Sequence, residues 1–226
     1  MSTNLLECVE LATGASPVAS VIWLHGLGAD GNDFVPIVPE LHLPPALSVR
    51  FVFPHAPIQP VTINNGMRMR AWYDIAGADL NSRADLVGVM RSQAAVEALI
   101  EREKSRGFAA SKIVLAGFSQ GGVVALHTAL RHRERLAGVV ALSTYIVQAD
   151  KLAEEAAHAN RDVPIFMGHG TLDDIVRYEW GEASRRVLEA NGYRVEWRRY
   201  NMPHAVCMEE IGDIAAWVKK ILGAKV

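Results

Sequence analysis

Gly117-Phe118-Ser119-Gln120-Gly121 sets a serine between two glycines, directly after the apolar run Lys112–Gly117 and directly before a helical stretch. A sharp strand-to-helix turn of this pattern holds the serine in strained φ/ψ and pushes its Oγ out at the top of a sheet. Side chains larger than glycine would collide there with the adjoining backbone. The turn also sets the Gln120 N–H at a helix N-terminus, aimed at an incoming oxyanion. The predicted chemistry is nucleophilic attack by Ser119. The blander reading is an ordinary serine N-cap, and the strand–turn–helix context argues against it.

A serine nucleophile needs a base, and the base needs a carboxylate to orient it. On this kind of turn they follow in the chain order Ser, Asp or Glu, His. The histidines after Ser119 are His127, His132, His158, His169 and His204. His127 and His132 lie on the helix after the turn, too close in sequence to fold back onto Ser119. His158 lies in an Ala/Glu-rich stretch and reads as a surface residue. His169 precedes the acid candidates. His204 sits in Asn201-Met202-Pro203-His204, a loop between the last strand and the last helix, and is the expected base. The segment His169-Gly170-Thr171-Leu172-Asp173-Asp174 follows a strand and offers two carboxylates. Spacing does not separate Asp173 from Asp174.

A second oxyanion N–H should come from the loop after an earlier strand. His25-Gly26-Leu27-Gly28 follows the run Ala19–Leu24, and its glycines let backbone approach a substrate. Leu27 N–H is the natural partner of Gln120 N–H. Gln120 acts through its main chain here, so its side chain is expected to be dispensable. Gly26-x-Gly28-x-x-Gly31 also matches a dinucleotide-binding fingerprint. That reading lacks the acidic residue expected about 20 positions on, and Pro36 and Pro39 break the required helix.

These residues need a scaffold. Apolar runs at Ala19–Leu24, Val49–Phe53, Lys112–Phe118, Leu136–Leu142 and Val163–Met167, with the alternating Arg194–Arg199, read as strands. Helical stretches fall at Ala84–Arg106, Gly121–Arg131, Tyr178–Ala190 and Ala205–Leu222. Their alternation predicts an α/β fold: a mostly parallel central sheet with helices on both faces, in one unit over residues 1–226 with no large separate cap. Leu5–Leu11 is placed as an antiparallel edge strand. The loops Pro54–Asp85 and Ser143–Asp162 are too long to be mere connections.

Composition narrows the function. Of 226 residues half are apolar, enough for a large core. A net charge of −2 gives no electrostatic reason to expect nucleic-acid binding, and the clusters Arg131–Arg135 and Arg194–Arg199 read as a helix end and a solvated edge. The two cysteines, Cys8 and Cys207, form no Cys-x-x-Cys, and no metal motif is present. Cys207 reads as a buried helix cysteine. No cofactor and no metal are called for. With no secretory pattern at the start and no apolar run near the ~20 residues of a membrane helix, a cytoplasmic location without membrane insertion is expected.

Taken together, four stretches resemble the acyl-protein thioesterase/carboxylesterase family of small α/β-hydrolases. They are His25–Asp33, Pro54–Thr62, Gly117–Gly122 and Gly168–Asp173 with Val176, completed by Met202-Pro203-His204. The family pattern H-G-x-x-D-x-x-V implies Asp173 as the acid, and supports His204 as base with Leu27 and Gln120 as oxyanion donors. By resemblance, Trp72 and Ile75 line the acyl site, with Leu27 and Val176 nearby. The resemblance implies a serine carboxylesterase or thioesterase acting through an acyl-enzyme, on a small-molecule or acyl-chain ester, and allows a homodimer. Short to medium acyl esters are the expected substrates. The alternatives are long-chain acyl-protein thioesters or lysophospholipids, and a non-catalytic binding module on the same fold.

Overall fold

The computed structural model describes residues 5–77 and 84–223. Seven strands form one sheet: β1 Cys8–Ala12, β2 Ala19–Leu24, β3 Val49–Pro54, β6 Ile113–Phe118, β7 Gly138–Leu142, β8 Ile165–Gly170 and β9 Val195–Tyr200, in the order β1-β3-β2-β6-β7-β8-β9. Only β1 runs antiparallel, against β3; the other neighbours are parallel. The expected edge strand at the chain start is therefore present, over Cys8–Ala12.

Alternation along the strands splits the core into two faces. Ile22, Leu24, Ile113 and Leu115 point to one face, where they meet Val89, Val96 and Leu99 of α2 (Leu86–Ser105) and Val123 and Leu126 of α3 (Gln120–Arg131). Val21, Trp23, Val114 and Ala116 point to the other, against Val38 of α1 (Ile37–Glu40) and Ile214, Trp217 and Val218 of α6 (Met208–Gly223). A sheet buried on both faces explains why β2 reads as a mostly apolar run rather than an alternating one. The α/β class, with helices on both faces, is as the sequence predicts.

Differences have local causes. β8 runs on through Gly168-His169-Gly170 because those residues pair with Arg198, Arg199 and Tyr200 of β9. The last helix starts at Met208, not Ala205, because tight turns (Met202 N–H to Tyr200 O, Ala205 N–H to Pro203 O) fold the preceding loop back. Cys207 consequently lies half-buried just before that helix, a correction to the buried helix position. The loop after β3 contains a hairpin, β4 Ile58–Val61 with β5 Met67–Arg70, and residues 78–83 of that loop lie outside the described residues. The Ser143–Asp162 loop holds one short helix, α4 Leu152–Glu155. Helix α5, Tyr178–Ala190, matches its predicted span.

Parallel strands that begin on one side also end on one side. The C-terminal ends of β2, β6, β8 and β9 thus bring four loops together, those carrying Leu27, Ser119, Asp173 and His204.

Candidate active site

Ser119 sits at φ 54°, ψ −119°, a conformation L-residues rarely adopt. Its neighbours explain how it is held. A Cβ on Gly117 would run into the Gly121 carbonyl, and one on Gly121 would run into the carbonyl oxygens of Leu24 and His25. Both flanking glycines are therefore steric requirements. The Ser119 N–H donates to Leu142 O at 2.8 Å, and Thr144 Oγ1 donates to Ser119 O at 2.7 Å. Thr144 fits because Gly122 has no side chain; a Cβ there would lie 2.7 Å from the threonine Cβ. Sequence reasoning missed Thr144, which carries no motif.

His204 and Asp173 meet. His204 Nδ1–H donates to Asp173 Oδ2 at 2.7 Å, while Asp173 Oδ1 accepts from Ile175 N–H at 3.0 Å and Val176 N–H at 2.9 Å. Burial alone would push the Asp173 pKa up. The His204 hydrogen bond and charge, with the Val176 N–H, outweigh it and hold the carboxyl below its ordinary value of 3.8. Asp174 is exposed and takes no part. Since an ionised carboxylate only accepts, the His204 proton sits on Nδ1 and Nε2 is left as the basic nitrogen. The imidazole packs on Phe118, the residue before Ser119, with ring centroids 4.7 Å apart.

The acid and base loops are stitched together. Thr171 N–H donates to Tyr200 O at 2.8 Å and Leu172 N–H to Met202 O at 3.1 Å. Gly170 permits this closeness, since a Cβ there would strike the Met202 carbonyl. Beneath them His169 is fully buried, its Nε2–H donating to Val176 O at 2.8 Å and lying 3.5 Å from Asp173 Oδ2. Burial lowers its pKa, so it braces the acid loop as a neutral ring.

Gln120 follows the serine as the first residue of α3, and Gly26, next to Leu27, packs against Phe118 and Ser119. Among the described residues neither the Leu27 nor the Gln120 main-chain N–H has a hydrogen-bond acceptor. The loop bearing Leu27 is shaped by His25. Its Nε2 accepts from Ala56 N–H at 3.0 Å, so Nδ1 carries the proton and donates to Gly26 O at 2.7 Å. Burial drops the His25 pKa to about 4, which keeps the ring neutral. Gly28, at φ 79°, turns the loop out and donates its N–H to Arg70 O of the hairpin at 2.9 Å. The residues after Gly31 form turns and then the four-residue α1 rather than a long helix, so the dinucleotide fingerprint lacks its scaffold.

Two groups of side chains named by the sequence are buried in the structure. The Gln120 side chain is not idle: it is buried, its Oε1 accepts Trp72 N–H at 2.7 Å and its Nε2–H donates to Tyr73 O at 2.7 Å. Trp72 is 1% exposed, with its indole N–H on His25 O at 2.9 Å. Ile75 and Val176 are likewise buried, and of the four residues given to the acyl site only Leu27 is part-exposed. Of the other histidines, His127 is buried in α3, with its pKa lowered to about 4 chiefly by burial, His132 bonds Glu97 at 2.7 Å, and His158 is exposed.

Residues 6–222 match the family described as Phospholipase/Carboxylesterase. The chain is 38% identical over 217 residues to acyl-protein thioesterase 1 of Yarrowia lipolytica, covering 94% of this chain and 96% of that protein. Among solved structures, Arabidopsis thaliana SOBER1 superposes with a TM-score of 0.85 at 30% identity, covering 90% of this chain and 99% of that one. Zea mays acyl-protein thioesterase 2 gives 0.85 at 27% identity, covering 96% and 99%.

Proposed function

The chain belongs to the phospholipase/carboxylesterase family of α/β-hydrolases and is an ester or thioester hydrolase, and from that premise we propose that it cleaves long-chain acyl thioesters and esters through an acyl-enzyme on Ser119. His204 Nε2 takes the Ser119 proton as Oγ attacks the acyl carbonyl. Asp173 orients the imidazole and stabilises the imidazolium. The Leu27 and Gln120 N–H groups hold the oxyanion. The imidazolium then protonates the leaving thiolate or alkoxide. Water, deprotonated by His204, attacks the acyl-enzyme and releases the fatty acid.

The observation that carries this reading is the Asp173–His204 hydrogen bond of 2.7 Å beside a serine held at positive φ. It leaves the imidazole with its basic nitrogen free for the nucleophile. The long-chain preference draws support from the relative named acyl-protein thioesterase. It also draws support from a rim of exposed apolar side chains: Ile58, Ile63 and Met67 on the hairpin beside the Leu27 loop, and Leu172 and Ile175 beside the acid. Such a rim suits an acyl chain better than an acetyl group. One observation favours short chains instead, the burial of Trp72, Ile75 and Val176.

The test is a p-nitrophenyl ester series, acetyl to palmitoyl, run beside an S-palmitoyl peptide. We expect kcat/KM to rise with chain length and the peptide thioester to be cleaved. A peak at acetyl or butyryl with no cleavage of the peptide would return the short-chain reading.

A further inference from the structure

We infer that the side chains of Gln120 and Trp72 form a strut that fixes the spacing of the two oxyanion N–H groups, so that both are positioning residues and Trp72 is not a wall of the acyl site. This rests on the Ser119 acyl-enzyme mechanism proposed above.

The strut can be followed atom by atom. The Gln120 main chain supplies one oxyanion N–H. Its side chain reaches across to the Trp72 segment through two hydrogen bonds, both 2.7 Å: Trp72 N–H to Oε1, and Nε2–H to Tyr73 O. The Trp72 indole N–H then reaches His25 O at 2.9 Å, and its ring leans on the His25 imidazole with centroids 5.3 Å apart. His25 Nδ1–H holds Gly26 O at 2.7 Å, and Gly26 is joined directly to Leu27, the second donor. Ser92 Oγ–H caps the Trp72 carbonyl from α2. Gln120, Trp72 and His25 are each at most 2% exposed, so water does not replace a bond that is cut.

The chemistry explains why such a strut would matter. The two donors sit on loops from different strands, β2 and β6. An oxyanion hole works only if both N–H groups stand 2.7–3.1 Å from the position the charged oxygen will take. Without the cross-link the Leu27 loop keeps its bonds to Ala56 and Arg70 but meets the elbow through packing of Gly26 on Phe118 and Ser119. A Trp72 built to line an acyl channel would expose a ring face; here the ring is buried in the core and tilted against His25, and its N–H is held by His25 O.

The test uses Trp72→Phe, which keeps a ring and deletes the N–H, and Gln120→Met, which keeps the shape and deletes both amide bonds. Each is assayed on p-nitrophenyl acetate and decanoate, with inhibition by an alkyl trifluoromethyl ketone, whose hemiketal oxyanion reports the hole itself. We expect kcat to fall on the order of 10²-fold equally on both esters, with KM little changed and ketone affinity lost in step. A Trp72→Phe enzyme with normal kcat on acetate and a raised KM on decanoate alone would overturn the strut and restore the acyl wall. Normal kcat on both esters in either folded variant would also overturn it. Ser119→Ala, run alongside, separates the two claims: if it keeps activity, the mechanism itself fails; if it is inactive while the strut variants are normal, only the strut fails. Thermal unfolding of each variant shows which are folded, and either alone suffices.

Discussion

Asp173→Asn removes one charge and changes almost no volume, so its effect can be worked from the hydrogen bonds. The carboxylate accepts from three donors, His204 Nδ1–H on one oxygen and the Ile175 and Val176 N–H groups on the other. An amide offers one oxygen and one NH2. If the oxygen keeps the two backbone donors, the NH2 faces His204 and forces Nδ1 to accept. The imidazole proton then moves to Nε2, and the base is lost. The working tautomer returns only if the amide turns over, which sets its NH2 against the buried Val176 N–H and the part-buried Ile175 N–H. Leaving those unsatisfied costs about 1–3 kcal/mol each. A midpoint of about 4 kcal/mol is a loss of about 10³-fold. The missing countercharge to the imidazolium carries the loss toward about 10⁴-fold. Asp174 is exposed and free of the site, so Asp174→Asn should stay within about twofold. Steady-state kcat on one p-nitrophenyl ester, with folding checked by thermal melts, decides the matter. An Asp173→Asn enzyme within tenfold of wild type, or an Asp174→Asn enzyme that is the slower of the two, would refute the reasoning.

Two glycines should respond oppositely to alanine. Gly121→Ala drives a Cβ into the backbone carbonyls of Leu24 and His25, where neither can move aside; we expect a loss of about 1–3 kcal/mol in urea melts together with activity. Gly212 lies inside α6 facing open space, so Gly212→Ala should gain about 0.5–1 kcal/mol, and a destabilised variant would contradict the packing described. Glu210 is fully buried with no hydrogen-bond partner for either carboxylate oxygen among the described residues, and burial, with Asp213 adding to it, raises its pKa from 4.5 to about 8. A raised carboxyl pKa means the fold binds the proton more tightly than the unfolded chain does. Its contribution is therefore full below pH 4.5 and is lost as pH rises to about 8. Glu210→Gln should thus become stabilising relative to wild type as pH rises, by up to about 1.4 kcal/mol per unit across that window; a pH-independent difference in urea melts would contradict it.

Much of this was legible in the residues. Ser119 stood out as the candidate nucleophile through flanking glycines whose steric reason is local, and His204 as the candidate base through its place after the last strand. The sheet followed from apolar runs, since a strand buried on both faces needs no partner to be recognised. Asp173 and Asp174 were inseparable by spacing, because what distinguishes them is the direction of one turn. That turn aims Asp173 at His204 and two backbone N–H groups and leaves Asp174 exposed. The hairpin after β3 was hidden because four-residue strands leave too short a pattern to read. The roles of Thr144, His169 and the Gln120 side chain depend on contacts between segments distant in sequence, which no local pattern encodes.

The most direct measurement is to trap the nucleophile. Wild type and Ser119→Ala would be incubated with a long-chain alkyl fluorophosphonate, digested and mapped by mass spectrometry, with ester hydrolysis followed in parallel. The account predicts one stoichiometric adduct on Ser119 that abolishes hydrolysis, and neither adduct nor hydrolysis in the variant. Label on another residue, or undiminished hydrolysis by a folded Ser119→Ala protein, would contradict it.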